Sequence, residues 1–191
     1  MKKIILMAIV ALFSMTSCST YNNMVTKEEG VKSAWSNVET QYQRRADLIP
    51  NLVATVKGYA EHEKSTLDAV VEARAKATSV NIALDQITPE NIAKFQEAQS
   101  AVTSALGRLI AVSENYPELK ANQNFLELQA QLEGTENRIT VARKEFNDAT
   151  QAYNIAVRRF PANIIAKIFD FEQKPYYKAD ATASEAPKVE F

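Results

Sequence analysis

Residues 125–160 read FLELQAQLEGTENRITVARKEFNDATQAYNIAVRRF. Bulky side chains recur every seven positions, at Phe125, Leu132, Ile139, Phe146, Tyr153 and Phe160, and Leu128, Thr135, Ala142, Ala149 and Ala156 fall between them. Steps of three and four put these residues on one stripe of an α-helix. Alternating large and small positions let a neighbouring helix approach closely while the rings fill the flanking space. The stripe predicts a helix over residues 121–158, about 57 Å long, closed by Phe160-Pro161.

A helix of matching length is legible upstream. Val31, Trp35, Val38, Tyr42, Arg45, Ile49, Leu52, Val56 and Tyr59 follow the same alternation of four and three, the signature of packing along a narrow seam. The register crosses Pro50 without a slip. Proline removes one helical hydrogen bond and clashes with the carbonyl four residues back, here Ala46. The reading is one long helix over residues 22–61, about 60 Å, kinked near 46–50; the alternative is a break at Pro50. Two helices of equal length pack side by side throughout as an antiparallel pair.

The register fails after Tyr59, where the next seam positions are Glu63 and Thr66. A turn is expected near residues 61–65, with Ser65 and Asp68 resembling a capping box. Leu67, Val70, Val71 and Ala77 mark a second helix to about Ser79, and residues 80–88 form a linker. Thr88-Pro89 reads as an N-cap followed by proline at the first helical position. A third helix then carries Ile92, Phe95, Val102, Leu106, Leu109 and Tyr116, and Pro117 is expected to end it. Residues 163–171 are apolar enough to cap one end of the assembly. The fold class is all-α, an up-and-down antiparallel helical bundle of about four helices, two of them long. Four glycines among 191 residues agree with that class, since turn-rich sheet proteins need more.

The N-terminus reads as an address. Met1-Lys2-Lys3 is cationic, and Ile4 to Phe13 is an unbroken apolar run. Crossing a bilayer in a helix takes about 20 apolar residues, so ten suit a secretory leader better than a span. Ser14-Met15-Thr16-Ser17-Cys18 follows and resembles the lipobox of bacterial lipoproteins, in which the chain is cut before the cysteine and its thiol is acylated. The competing reading is an ordinary signal peptide in which Cys18 is incidental. Lipidation is favoured because several acyl chains make a stable anchor where one does not. The expected organisation is a leader over residues 1–17, a helical body over 18–171, and a flexible tail over 172–191.

Composition narrows the function classes. The formal net charge is −1, without the basic excess that nucleic-acid binding draws on, so no nucleic-acid partner is expected. One cysteine cannot form an internal disulfide or a cysteine-rich zinc site. No cofactor is implied by any motif, because G-x-S-x-G and P-loop strings are missing.

The stretch Gln41-Tyr42-Gln43-Arg44-Arg45-Ala46-Asp47-Leu48-Ile49-Pro50-Asn51-Leu52-Val53, continuing through Val56-Lys57-Gly58-Tyr59 to His62-Glu63, resembles the LemA family. So does Glu133-Gly134-Thr135-Glu136-Asn137-Arg138-Ile139 with Ala142-Arg143, and so do Tyr116-Pro117, Tyr153-Asn154 and Phe160-Pro161. With Tyr21-Asn22 and Ala34-Trp35, the matches run from residue 21 to about 177. The resemblance implies a helical bundle displayed from a membrane anchor and implies no enzymatic activity. Many members carry an uncleaved transmembrane helix where this chain has a lipobox-like leader, which leaves membrane and leaflet open.

The candidate site residues are few. Arg45 lies on the seam, where an unpaired buried charge costs several kcal/mol. Asp47 is two residues away and points elsewhere, so a partner on another helix is expected, Glu133 or Glu136 first. The alternative makes Arg44, Arg45 and Asp47 an exposed binding patch. His62, the single histidine, lies between Glu61 and Glu63. Adjacent helical residues diverge by about 100°, and the second histidine of H-E-x-x-H is missing, so it reads as a surface or turn residue and no metal site is expected. Trp35, Tyr42, Phe146, Tyr153 and Phe160 fit a heptad core better than an aromatic ligand box.

The favoured function is a non-enzymatic interaction module, anchored through Cys18 in the cell envelope and facing the periplasm from the inner or outer membrane, with another envelope protein as its partner. The alternatives are a metal-binding or enzymatic protein using His62 with nearby carboxylates, and a lipid-interacting bundle. Oligomeric state is not encoded in any of these features.

Overall fold

The computed structural model describes the backbone of residues 2–178 and the side chains of residues 18–178. The side chains of the expected leader, and residues 179–191 of the expected tail, lie outside the described residues. Among those described there are six helices and no strand: α1 (Lys2–Lys57), α2 (Lys64–Ser79), α3 (Pro89–Ser113), α4 (Pro117–Lys120), α5 (Gln123–Arg158) and α6 (Ala162–Ile168). No helix of the described residues is long and apolar enough to cross a membrane.

The architecture is an all-α bundle with α1 and α5 as its long members. They run antiparallel: Asn37 Nδ2 donates to Glu145 Oε2 at 3.1 Å, and Arg45 meets Glu136 at 2.7 Å, so residue numbers fall on α5 as they rise on α1. Helices α2 and α3 form a hairpin against the second half of α1. Seam residues Val31 to Val56 are all buried, whereas Tyr59 is exposed beyond the helix end and accepts a hydrogen bond from Asn122. Val38, Leu52, Ile139 and Phe146 all face inward.

The core divides in two along the long axis. One apolar cluster holds Trp35, Val38, Tyr42, Phe95, Phe146 and Tyr153. The other holds Ile49, Leu52, Leu67, Leu109, Phe125 and Leu132. Arg45 lies on the seam between them, with Gln99 and Thr135 also buried. In the first cluster Trp35 packs edge-on against Phe95 and Phe146, ring centroids 5.3 and 5.2 Å apart, the geometry that opposes the negative face of one ring to the positive edge of another.

Local chemistry sets the boundaries. The Thr88 hydroxyl accepts from Asn91 N–H at 3.2 Å, with Pro89 at the first helical position. Asn122 Oδ1 accepts from Phe125 N–H at 3.0 Å and starts α5. Both caps occupy donors that a helix N-terminus leaves without internal partners.

Five local expectations differ. Phe160, expected in the heptad core, lies past the end of α5 and is exposed, because the helix stripe stops at Arg158. The turn after α1 covers residues 58–63, slightly earlier than residues 61–65. Ser65 is inside α2 and makes no cap, because the chain reverses sooner and Glu63 is the N-cap, its carbonyl taking Thr66 and Leu67 N–H. Helix α3 stops at Ser113, four residues before Pro117, and the Ser113 hydroxyl bonds Ile110 O; Pro117 instead opens α4, a place where its missing N–H costs nothing. Finally, residues 172–178 of the tail expected to be flexible are extended and docked, with Tyr177 buried.

The docking is a matter of matched periods. Asn154 exchanges hydrogen bonds with Lys174 N–H and C=O (2.9 and 2.8 Å), and Asn147 does the same with Tyr177 (2.8 and 3.0 Å). Seven residues of helix rise about 10.5 Å, and three residues of extended chain cover about 10 Å. Two asparagine amides one heptad apart therefore meet every third backbone unit. The Tyr177 and Tyr42 hydroxyls share a hydrogen bond of 2.7 Å, and the Arg143 guanidinium donates to Tyr42 and lies 4.6 Å from the Tyr177 ring centre.

Candidate functional site

Helix α1 is not interrupted at Pro50. The ring leaves the Ala46 carbonyl without its helical donor, and Arg74 of α2 supplies one, Nε to O, at 2.7 Å. That bond ties α2 to the middle of α1 and forms one wall of a groove between α1, α2 and α3 with a volume of about 730 Å³. Glu39, Arg44, Arg45, Asp47, Arg74 and Gln99 are among its lining residues.

Arg45 forms the floor. Its side chain is 1% exposed, and its two terminal nitrogens make four hydrogen bonds: Nη1 to Glu136 Oε1 (2.7 Å) and Thr103 Oγ1 (3.0 Å), Nη2 to Gln99 O (3.1 Å) and Gln99 Oε1 (2.6 Å). The Tyr42 ring lies beneath, 4.9 Å from the guanidinium carbon. A buried cation is tolerable only when its donors are met this fully. Glu136 reaches it from the water side, its own side chain 42% exposed.

The remaining candidates separate. Arg44 and Asp47 are exposed on the groove wall, and Asp47 accepts from Gln43 Nε2 at 2.8 Å. Glu133 is exposed on α5 and accepts from Gln129, away from Arg45. Thus Arg44, Arg45 and Asp47 share the groove, Glu136 meets Arg45 from behind, and Glu133 stands apart. His62 is exposed in the turn after α1, while its neighbour Glu63 accepts from Tyr116 OH at 3.1 Å. Among the described residues no group of three His, Cys, Asp or Glu is placed to hold a metal ion. Cys18 is exposed and unpaired as a thiol.

Glu39 is the groove's second carboxylate. Burial pushes its carboxyl above the ordinary value of 4.5, and the N–H groups of Trp35 and Ile82 facing it oppose part of that rise. The Trp35 contact falls short of a full hydrogen bond, and the indole N–H has no other partner. Two hydroxyls in the groove are committed locally: Thr40 bonds Ser36 O and Thr78 bonds Arg74 O. With neither histidine nor cysteine on its walls, the groove presents fixed charges of both signs and hydrogen-bonding groups. Fixed charges of both signs, so placed, can pair with complementary charges on another molecule.

Arg74 and Gln99 were not legible as site residues. The signal for Arg74 was indirect, since a proline inside a helix requires some donor for the carbonyl four residues before it.

These features define an all-α bundle protein built on two long antiparallel helices, with a charged groove beside a buried arginine. Residues 34–191 match the LemA family, and the chain belongs to it. The chain is 29% identical to Magnetosome protein MamQ 1 of Paramagnetospirillum magneticum over 94% of its own length and 72% of that protein. It is 29% identical to Magnetosome protein MamQ of Magnetospirillum gryphiswaldense, over 86% of this chain and 67% of that one. It is 23% identical to Protein LemA of Metamycoplasma hominis, over 95% and 77% respectively.

Proposed function

We propose that this chain is a non-enzymatic interaction module, held at the cell envelope through acylated Cys18, that binds another envelope protein in the groove between α1, α2 and α3. The observation that carries the reading is the division of labour at the groove. Both terminal nitrogens of Arg45 are occupied by Gln99, Thr103 and Glu136, so it shapes the floor, while exposed Arg44 and Asp47 remain on the rim to meet a partner. Opposite charges side by side select a complementary protein surface and disfavour the wrong one. The anchor is supported by the leader-like run before Cys18 and by the exposure of that residue. The relatives' names, magnetosome protein and LemA, contain no reaction.

The test is a photo-crosslinking residue in place of exposed Gln43, in full-length protein made in cells. One reproducible adduct with a different envelope protein, lost on Arg44→Glu with Asp47→Lys, is the expected result. No adduct, or one indifferent to those charges, contradicts the reading. Labelled fatty acid should enter the wild-type chain and not Cys18→Ala.

A further inference from the structure

The end of the bundle nearest Cys18 is apolar on its outside as well as its inside. Helix α6 buries Ile165 and Ala166 against the body and turns Ile164 and Ile168 outward, the latter 65% exposed. Phe160, just before it, is 77% exposed, and Phe169, just after it, is 55% exposed. Asn163 and Lys167 share that outer face, and a cluster of exposed large apolar side chains marks an interaction surface.

Two further observations say what covers it. The first is position. Tyr21 packs on Phe169 with ring centroids 4.9 Å apart and on Phe171 at 5.4 Å. Cys18 lies three residues before Tyr21 in the same helix, about 5 Å along the axis. The second is charge. A groove of about 460 Å³ between residues 19–27 of α1 and the end of α5 has Lys27, Ile155 and Arg159 among its lining residues and no carboxylate. Over residues 158–172 the cations Arg158, Arg159 and Lys167 surround the apolar run, with Asp170 and Glu172 the carboxylates, both after it. Cations ringing exposed aliphatic and aromatic side chains match the boundary between anionic headgroups and acyl chains. The docked segment 172–178 leads away from this end, toward Gln96, which donates to Lys178 O.

We infer that this end of the bundle docks on a phospholipid bilayer, with Phe160, Ile164, Ile168 and Phe169 dipping into the interface and Lys27 and Arg159 meeting anionic headgroups. The inference rests on the anchoring reading, because the acyl group would bring the patch to the bilayer. Docking fixes the long axis of the bundle relative to the membrane and directs the groove around Arg45 outward.

The test uses the full-length chain with Ile168→Trp, mixed with vesicles of phosphatidylethanolamine and acyl-brominated phosphatidylglycerol. Wild-type protein is the baseline, since its single tryptophan, Trp35, is fully buried. Docking is supported if the new indole shifts to the blue and is quenched beyond that baseline, with Phe160→Trp behaving likewise. With Cys18→Ser, where only the patch holds the chain, Ile168→Asp should lower vesicle partitioning about tenfold. Water-like, unquenched emission from an acylated chain that sediments with the vesicles overturns docking and leaves the anchor standing. A chain without acyl group overturns the anchor, and the same spectra then decide docking by themselves. A blue shift without vesicles, accompanied by a dimer on gel filtration, assigns the patch to a second copy and overturns docking.

Discussion

Arg74 on α2 donates to the carbonyl of Ala46 on α1 at 2.7 Å, at the position where Pro50 has withdrawn the helical donor. A proline that would orphan a buried carbonyl thereby becomes the point where a second helix is attached. Arg74→Ala should lower stability by about 1–3 kcal/mol, the cost of leaving an acceptor unmet. Pro50→Ala restores the internal hydrogen bond, so in the Arg74→Ala background it should recover much of that loss. Urea unfolding of the two single variants and the double variant measures the coupling; strictly additive losses would remove the link.

Arg45 and Glu136 form an unequal pair. The cation is buried and the carboxylate is nearly half in water, so removing either member has different consequences. Glu136→Ala leaves a buried charge short of one partner and should cost about 1–3 kcal/mol, the lower end applying if water enters. Arg45→Met lets Glu136 turn to solvent but strips the buried Gln99 amide oxygen of its donor, and should cost about 1–3 kcal/mol; Arg45→Met with Gln99→Leu replaces both by apolar volume and should be closer to neutral. Thermal melts at matched pH and salt decide the order; a double variant less stable than Arg45→Met alone would contradict it.

Asn147 and Asn154 hold the extended segment through paired backbone hydrogen bonds. Replacing either by Ala should cost about 1–2 kcal/mol and expose the Lys174 or Tyr177 amide to solvent exchange while α1 and α5 stay protected. Hydrogen exchange read residue by residue is the appropriate measurement. Unchanged protection at both amides would mean that Tyr177 burial alone holds the segment.

Tyr153 is buried with a hydroxyl that has no hydrogen-bond partner, and burial pushes its phenol up to about 12, with Glu28 and Glu172 adding to the shift. A group whose proton is held more tightly when folded supports the fold below its ordinary value of 10 and loses that support as pH rises through 12. Tyr153→Phe removes an unmet donor, so it should be neutral or stabilising by up to about 1 kcal/mol at pH 7. It should also lose less stability than wild type between pH 10 and 12. Denaturant midpoints at the two ends of that range check both statements.

The long helices were legible because their apolar residues keep a strict 3.5-residue average, a signal that survives even Pro50. Arg45 was legible as a residue in need of a partner because it interrupts an apolar seam. Choosing Glu136 over Glu133 was not possible from spacing, since the two differ by less than one turn and only the register of α5 against α1 separates them. Arg74 carried no periodic mark, and its role follows from a vacancy on another helix. Residues 172–178 looked loose because their anchors are backbone groups, which no side-chain pattern records; Asn147 and Asn154, one heptad apart on the buried side of α5, were the available clue. The end of α3 was misjudged at Pro117 because proline is equally suited to opening the next helix.

The groove, its arginine floor and the outward end of α6 all depend on α1 and α5 lying antiparallel in one register. Trp35 is the only tryptophan, so nuclear Overhauser contacts from its indole can be read without ambiguity. They should reach the rings of Phe146 and Phe95, whose centroids lie 5.2 and 5.3 Å away. Because bulky residues repeat every seven positions on α5, contacts to Ile139 or Tyr153 in place of Phe146 would reveal a slip of one heptad and contradict the arrangement described.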